Sequence, residues 1–268
     1  MAETEKGFPL LSRENLFIFL SMLLLISAAW LYIFYLNSTR SMESMGSMEG
    51  MSAPQMKPFG LADFLGAFLM WSSMMAAMMI PSAMPMILVF AAVYKKRQSQ
   101  KKEFVPAWIF TSGYILVWVL FSAAAASLQV LFHNFAIISD GMKLVSHFVS
   151  GIVLIIAGTY QFTPLKNTCL KNCQSPLNFI MGGWRNGKKG AFTMGLKHGA
   201  YCLGCCWALM LLLFVAGIMN ILWIALIAMF VFFEKILGKE KLVSYISGTA
   251  LILFGIYMIF PYVLSSRG

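Results

Sequence analysis

The sequence predicts an all-α protein, a polytopic membrane helical bundle with seven transmembrane helices. Of its 268 residues, 60% are hydrophobic and only 11% are charged, and its mean hydropathy is +0.78. Several apolar runs reach the roughly 18 residues that a membrane-spanning helix needs. Helices are the expected element because the backbone must satisfy its own hydrogen bonds within lipid. The net charge is +10, and the basic residues lie between the apolar runs. In that position they indicate membrane topology rather than nucleic-acid binding.

Seven apolar segments are the predicted spans. The first is longer than the core of a signal peptide and no clear cleavage site follows it, so we expect it to be retained. The expected organisation is a cytoplasmic tail at 1–15, a first transmembrane helix at 16–36, a Met-rich extracytoplasmic loop at 37–60 and a six-helix membrane domain at 61–263. Within that domain we expect helices at about 61–90, 104–130, 143–160, 191–216, 221–236 and 242–263, with a short interfacial helix at 176–181.

The distribution of basic residues predicts the orientation. With seven spans, all but four of the 20 Lys and Arg residues fall on the side of the N-terminus. Cytoplasmic loops carry the excess of Lys and Arg in membrane proteins. We therefore expect the N-terminus in the cytoplasm and the C-terminus outside. The four exceptions are Arg40, Lys57, Lys143 and Arg267.

Methionine is unusually frequent, with 21 residues, and it is concentrated in two segments. Thioethers are soft ligands that suit Cu(I), although methionine also packs irregular cores well. Pro81 and Pro85 are expected to kink or break the second helix. The predicted metal-collecting loop contains Met42, Met45, Met48, Met51 and Met56. The candidate ligands on the second helix, which recur at helical spacing, are Met70, Met74, Met75, Met78, Met79 and Met84.

All five cysteines lie in two clusters. Cys169 and Cys173 form a C-x3-C pair in a predicted cytoplasmic loop, and the fifth helix carries a C-x2-C-C motif of Cys202, Cys205 and Cys206. On that helix His198 and Met210 stand four residues before and after the motif, so they share its broad face. Together these side chains form a candidate site for a soft metal ion.

Several interpretations of the cysteines remain open. Two close pairs of ligands are typical of structural zinc sites. A C-x2-C pair also suits a membrane thiol-disulfide oxidoreductase, although that leaves the methionines unexplained. A third alternative is an accessory subunit of a membrane copper enzyme. Single cysteines are often small buried hydrophobes, but that reading fits two clusters poorly.

Charged residues near the end of the sixth helix allow two interpretations. Glu234 is either an interfacial residue paired with Lys235 or a functional group within the membrane, a possible polar partner of the site. Gly151 and Gly158, seven residues apart, are expected to permit close packing of the fourth helix.

Four segments resemble a bacterial family of predicted metal-binding integral membrane proteins. They are YQFTPLKNTCLKNC, GLKHGAYCLGCCWALM, WSSMMAAMMIPSAMPM and FFEK, and the resemblance covers roughly 61–262. This family has been a domain of unknown function, and some of its members are labelled copper chaperones. The resemblance implies a metal-binding role for 61–263 and points to the five cysteines, the Met-Met pairs and Glu234.

The expected function is therefore binding of a soft metal ion for copper handling, delivery or transport. Cu(I) is the expected metal and zinc the alternative, in a multi-pass protein of the bacterial inner membrane. Expected partners are the metal ion, the lipid bilayer and a copper protein or membrane complex, with no nucleic acid. The chain contains no Ser-His-Asp arrangement, phosphate-binding glycine loop or nucleotide motif, which argues against an independent hydrolase or ATP-driven pump.

Overall fold

A computed structural model of the chain describes six segments. They are residues 13–46, 60–98, 105–135, 146–218, 220–236 and 240–265. Within these ranges the protein is all-α, as the sequence predicts, and no strand occurs.

Nine helices make up the described segments. Their lengths range from 7 residues in α6 to 38 residues in α2. In chain order they are α1 (Arg13–Gly46), α2 (Leu61–Gln98), α3 (Ala107–Asn134), α4 (His147–Gln161), α5 (Pro164–Gln174), α6 (Pro176–Gly182), α7 (Gly187–Ala216), α8 (Ile221–Ile236) and α9 (Glu240–Ser265).

Five of these helices are long and apolar enough to cross a membrane, namely α1, α2, α3, α7 and α9. The bent pair of α4 and α5, whose axes differ by 64°, provides a sixth span if it is one broken crossing. Helix α8 is strongly apolar but has only 16 residues, fewer than the roughly 20 of a typical span. The count of seven spans and the orientation of the termini stay predictions.

Three local expectations differ from the structure. Helix α1 does not end at residue 36 but continues to Gly46, so the first part of the predicted loop at 37–60 is helical. Helix α2 continues through Pro81 and Pro85, so of the two expected effects, a kink or a break, the break does not occur. The segment predicted as a loop around Cys169 and Cys173 is helix α5, whose start is fixed by Pro164 in the first turn and by Thr163, which accepts a hydrogen bond from the backbone of Lys166.

Glycines allow two helix pairs to approach closely. Gly151 and Gly158 of α4 lie against the backbone carbonyls of Gly255 and Gly248 in α9, each 2.8 Å from the position that a Cβ would occupy. This agrees with the close packing expected for α4. Helices α3 and α7 meet in the same way, since a Cβ on Gly195 would lie 2.0 Å from the carbonyl oxygen of Phe110. Helix α7 thereby packs directly against α3 and is surrounded by α3, α4, α5 and α8.

The core of the bundle is formed mainly by α2, α3 and α7. Trp71 at its centre is fully buried, stacks on Phe214 with ring centroids 5.3 Å apart and donates a 2.7 Å hydrogen bond to Gln129. Large apolar side chains on α1, α8 and α9 point outward, as expected for helices surrounded by lipid. The candidate site lies between α2, α5, α7 and α8.

Candidate metal centre

One face of α7 carries soft side chains into the interior. His198, Cys202, Cys206 and Met210 follow one another at intervals of four residues, and none is more than 2% exposed. Cys205, on the neighbouring row, is 1% exposed. Helix α7 keeps this face inward and ends at Ala216; the next residue, Gly217, has a φ of 99°, which suits a glycine. The side chains predicted to share a face therefore lie in a single buried row.

Cys202 is the most strongly hydrogen-bonded of the thiols. Its Sγ accepts a hydrogen bond of 3.0 Å from the Lys235 ammonium group of α8. The hydroxyl of Tyr114 on α3 lies 3.2 Å from the same sulfur and also donates to the Met79 carbonyl at 3.0 Å. Three helices besides α7 are thus tied together around this single sulfur atom.

The other two thiols of the motif are held by their own helix. Cys205 and Cys206 donate hydrogen bonds to the backbone carbonyl of Cys202, with S···O distances of 3.0 and 2.9 Å. This contact with the preceding turn is available to a small donor in a helix. These hydrogen bonds hold both thiols against the preceding turn of α7.

Helix α5 brings the second cysteine pair to the first. Cys173 is partly buried and packs against the core near the Cys202 and Cys205 thiols. Cys169 packs against Gly204 of α7, where a Cβ would lie only 2.8 Å from its Sγ. The Tyr160 hydroxyl of α4 donates a hydrogen bond to the Gly204 carbonyl of α7 and so links α4 to this part of α7. The two cysteine clusters, which are far apart in the chain, are therefore neighbours in the fold.

One methionine of α2 contacts the thiol cluster. Met79 is fully buried, and its Sδ lies 3.9 Å from the Cys206 Sγ, a direct contact between a thioether and these thiols. The remaining candidates on α2 belong to the same core, and only Met84 is partly exposed. The buried ones, none more than 5% exposed, are Met70, Met74, Met75 and Met78.

His198 lies in an aromatic enclosure. Its ring is 5.4 Å from the ring of Tyr114, 5.5 Å from that of Phe179 and 6.0 Å from that of Phe110, measured between centroids. Its Nδ1 is buried and has no hydrogen-bond partner among the described residues. A buried nitrogen without a partner is a candidate ligand or water site.

Glu234 and Lys235 do not pair with each other. Glu234 is 2% exposed and forms a buried ion pair with Lys166 of α5. The Lys166 ammonium group also donates to the Gln161 side chain, and the Ser244 hydroxyl donates to the Glu234 carboxylate. The interfacial pair that the sequence suggested is therefore wrong, and Glu234 instead anchors the cysteine-bearing helix α5.

Lys235 is the site residue that sequence analysis missed. Its position at a helix end is typical of a residue that marks membrane topology, yet it is only 8% exposed. Its ammonium group donates to Cys202 and, at 2.9 Å, to the Ser82 hydroxyl of α2. No local pattern identifies this role, because both partners come from other helices. Tyr114 was missed for the same reason.

The metal-collecting loop cannot be placed against this cluster. Met48, Met51 and Met56 lie outside the described residues, and so do the side chains of Met42 and Met45, although both belong to α1. Their proposed role rests on sequence alone.

The side chains that meet at the candidate site are mainly soft sulfur donors. In the part of the chain that the structure describes, no group of three or more His, Cys, Asp or Glu side chains has metal-site geometry. The zinc alternative therefore gains no support. What the helices do bring together is a set of thiols and one thioether, the soft ligands that favour Cu(I).

A protein-family model matches most of the chain. The family model described as PpoB2, copper chaperone, matches residues 68–258, which is more than two thirds of the chain. The matched region contains both cysteine clusters, the α2 methionines and Glu234. No curated protein and no solved structure matches the chain.

Proposed function

Because the chain belongs to the PpoB2 copper chaperone family, we propose that it binds Cu(I) as its cargo inside a membrane-embedded helix bundle and passes the ion to a partner or across the bilayer. The observation that carries the proposal is the packing of the α5 cysteines against the cysteine-bearing helix α7, where Cys206 contacts the Met79 thioether of α2. Cu(I) is a soft ion that such a set binds preferentially.

The proposed ligands fall into three groups with different tasks. The five cysteines (Cys169, Cys173, Cys202, Cys205 and Cys206) are the proposed source of the thiolates that hold the ion, with His198 and Met210 at the two ends of the buried row on α7. The thioethers of α2 relay it, and the loop from Met42 to Met56 collects it. Thioethers remain neutral and resist the oxidation that would disable exposed thiols. Thiols must lose their protons to bind a metal, so Cu(I) affinity rises with pH.

The proposed location is the bacterial inner membrane, with the N-terminus in the cytoplasm. This orientation puts the methionine loop on the oxidising side and the cysteine cluster near the reducing side, where thiols persist. Seven spans are reached if the bent pair of α4 and α5 crosses the membrane once and the short helix α8 also crosses it, in addition to the five long helices.

The topology predicts a definite labelling pattern. A single cysteine introduced by Thr4→Cys is expected to be protected from a membrane-impermeant thiol reagent in intact cells, whereas one introduced by Ser266→Cys is expected to react. The measurement is made in a chain whose five native cysteines are replaced by serine. Reaction at both ends, or at neither, would mean an even number of spans.

Copper retention is the principal test. We expect the wild-type protein, purified anaerobically in detergent with Cu(I) present, to retain copper, and the triple variant Cys202→Ser, Cys205→Ser and Cys206→Ser to lose nearly all of it. Serine is close in size but is a poor ligand for soft metals. Bound copper is measured by elemental analysis, and sulfur coordination is checked by X-ray absorption.

The matched control replaces methionines that face away from the cluster. Met181 and Met229 are 75% and 53% exposed, so Met181→Leu and Met229→Leu should leave copper retention unchanged. Unaltered copper in the triple cysteine variant would eliminate the site. A reversible disulfide between Cys173 and Cys202 or Cys205 in copper-free cells, trapped with an alkylating reagent, would instead favour the thiol oxidoreductase alternative.

A further inference from the structure

Lys235 is a buried cation with no carboxylate paired to it among the described residues. Its ammonium group contacts the Ser82 hydroxyl and the Cys202 sulfur, and the nearby Glu234 is already paired with Lys166. Since Lys166 and Glu234 cancel each other, they leave the charge of Lys235 uncompensated. A buried ammonium group without a partner is strongly unfavourable, and a negative charge beside it removes most of that cost.

Among the described residues, the groups beside Lys235 that can supply a negative charge are the thiols of the candidate site. The groups that face Lys235 from α7, α2 and α3 are the thiols of the C-x2-C-C motif, the Ser82 hydroxyl and the Tyr114 hydroxyl. Two thiolates around Cu(I) leave one net negative charge, which a single ammonium group neutralises. A divalent ion between the same two thiolates is neutral by itself, and Lys235 would then add an unbalanced positive charge.

We propose that Lys235 is the residue that sets the charge specificity of the site, favouring monovalent soft ions over divalent ones. This inference rests on the function proposed above and goes beyond it, since it assigns selectivity to a residue that is not a ligand. A divalent ion would need a third thiolate to reach neutrality. The hydrogen bond from Lys235 also fixes the Cys202 sulfur, as outer partners of metal ligands generally do.

The test compares Lys235→Met with Lys235→Arg in the full chain in detergent, under anaerobic conditions. Affinities for Cu(I) and Zn(II) are measured by competition with chelators of known affinity, and Ag(I) is included as a monovalent ion that does not change oxidation state. Removing an outer partner of a metal ligand typically costs about 10- to 100-fold in affinity. We expect a Cu(I) loss of that size in Lys235→Met, a rise in the Zn(II)/Cu(I) affinity ratio, and little change in Lys235→Arg.

The outcomes separate this inference from the proposed function. Absence of Cu(I) binding by the wild type overturns the proposed function itself. Binding by the wild type with an unchanged Zn(II)/Cu(I) ratio in Lys235→Met overturns only the role of Lys235, and so does an equal shift in Lys235→Arg.

A measurement on the wild type keeps the inference testable if the variants do not fold. Thiols protected from alkylation are counted by mass spectrometry with Ag(I) or Zn(II) bound. We expect Ag(I) to protect two thiols and any bound Zn(II) to protect at least three, as the charge balance requires. Tight Zn(II) binding with only two protected thiols would contradict the inference.

Discussion

Replacing Lys166 by methionine is expected to destabilise the protein by about 3–5 kcal/mol, because it leaves the Glu234 carboxylate buried without its cation. Both side chains are almost completely buried, and the pair joins α5 to α8. Gln161 and Ser244 extend it to α4 and α9. Thermal unfolding in detergent, followed by tryptophan fluorescence, should show a clear fall in Tm. The helix carrying Cys169 and Cys173 should loosen as well, which copper retention would reveal.

Two further variants establish the cause of that fall. Lys171→Met removes a cation from the exposed side of the same helix and should change Tm little. The double variant Lys166→Met with Glu234→Leu removes both buried charges and should recover much of the lost stability, since an apolar replacement of a buried ion pair is often neutral. A double variant as unstable as Lys166→Met alone would mean that packing, rather than the unpaired carboxylate, is responsible.

The sequence is sufficient to predict the helical class and most of the helices. Long apolar runs predict α1, α2, α3, α7 and α9, because an apolar segment of that length is typical of a membrane-spanning helix. The sequence was insufficient for α5, whose polar and basic residues around the cysteines suggested a loop. That helix is stabilised by the buried contacts of Lys166 and Cys169, which involve α8 and α7. Such tertiary contacts leave no local pattern.

In the candidate site, too, local sequence patterns are predictable and contacts between distant segments are not. The cysteines can be identified from the sequence because their clustering is itself a local signal. Lys235 and Tyr114 reach Cys202 across 33 and 88 residues of chain, so their roles emerge only from the fold. A lysine at the end of a helix ordinarily marks membrane topology, and a buried tyrosine ordinarily serves packing. Their convergence on one sulfur is what distinguishes them.

Gly195→Ala is the second variant for which we expect a large effect. A Cβ at this position would lie 2.0 Å from the Phe110 carbonyl oxygen, so α3 and α7 would have to separate. Backbone atoms cannot yield as a flexible side chain would, and overpacking typically costs about 1–3 kcal/mol or more. Separation would also draw Tyr114 away from Cys202, so both Tm and copper retention should fall.

Gly66→Ala is the matched control, because it makes the same change inside a long apolar helix. A Cβ on Gly66 has nothing within 4 Å. Alanine favours the helix by about 1 kcal/mol over glycine, so this variant should be as stable as the wild type or slightly more stable. Opposite signs of the two Tm shifts would identify the contact between α3 and α7, rather than helix propensity, as the reason for glycine at 195. A Gly195→Ala protein that retains its stability but loses copper would show that the two helices can separate locally, and that the Tyr114 contact matters to the site more than to the fold.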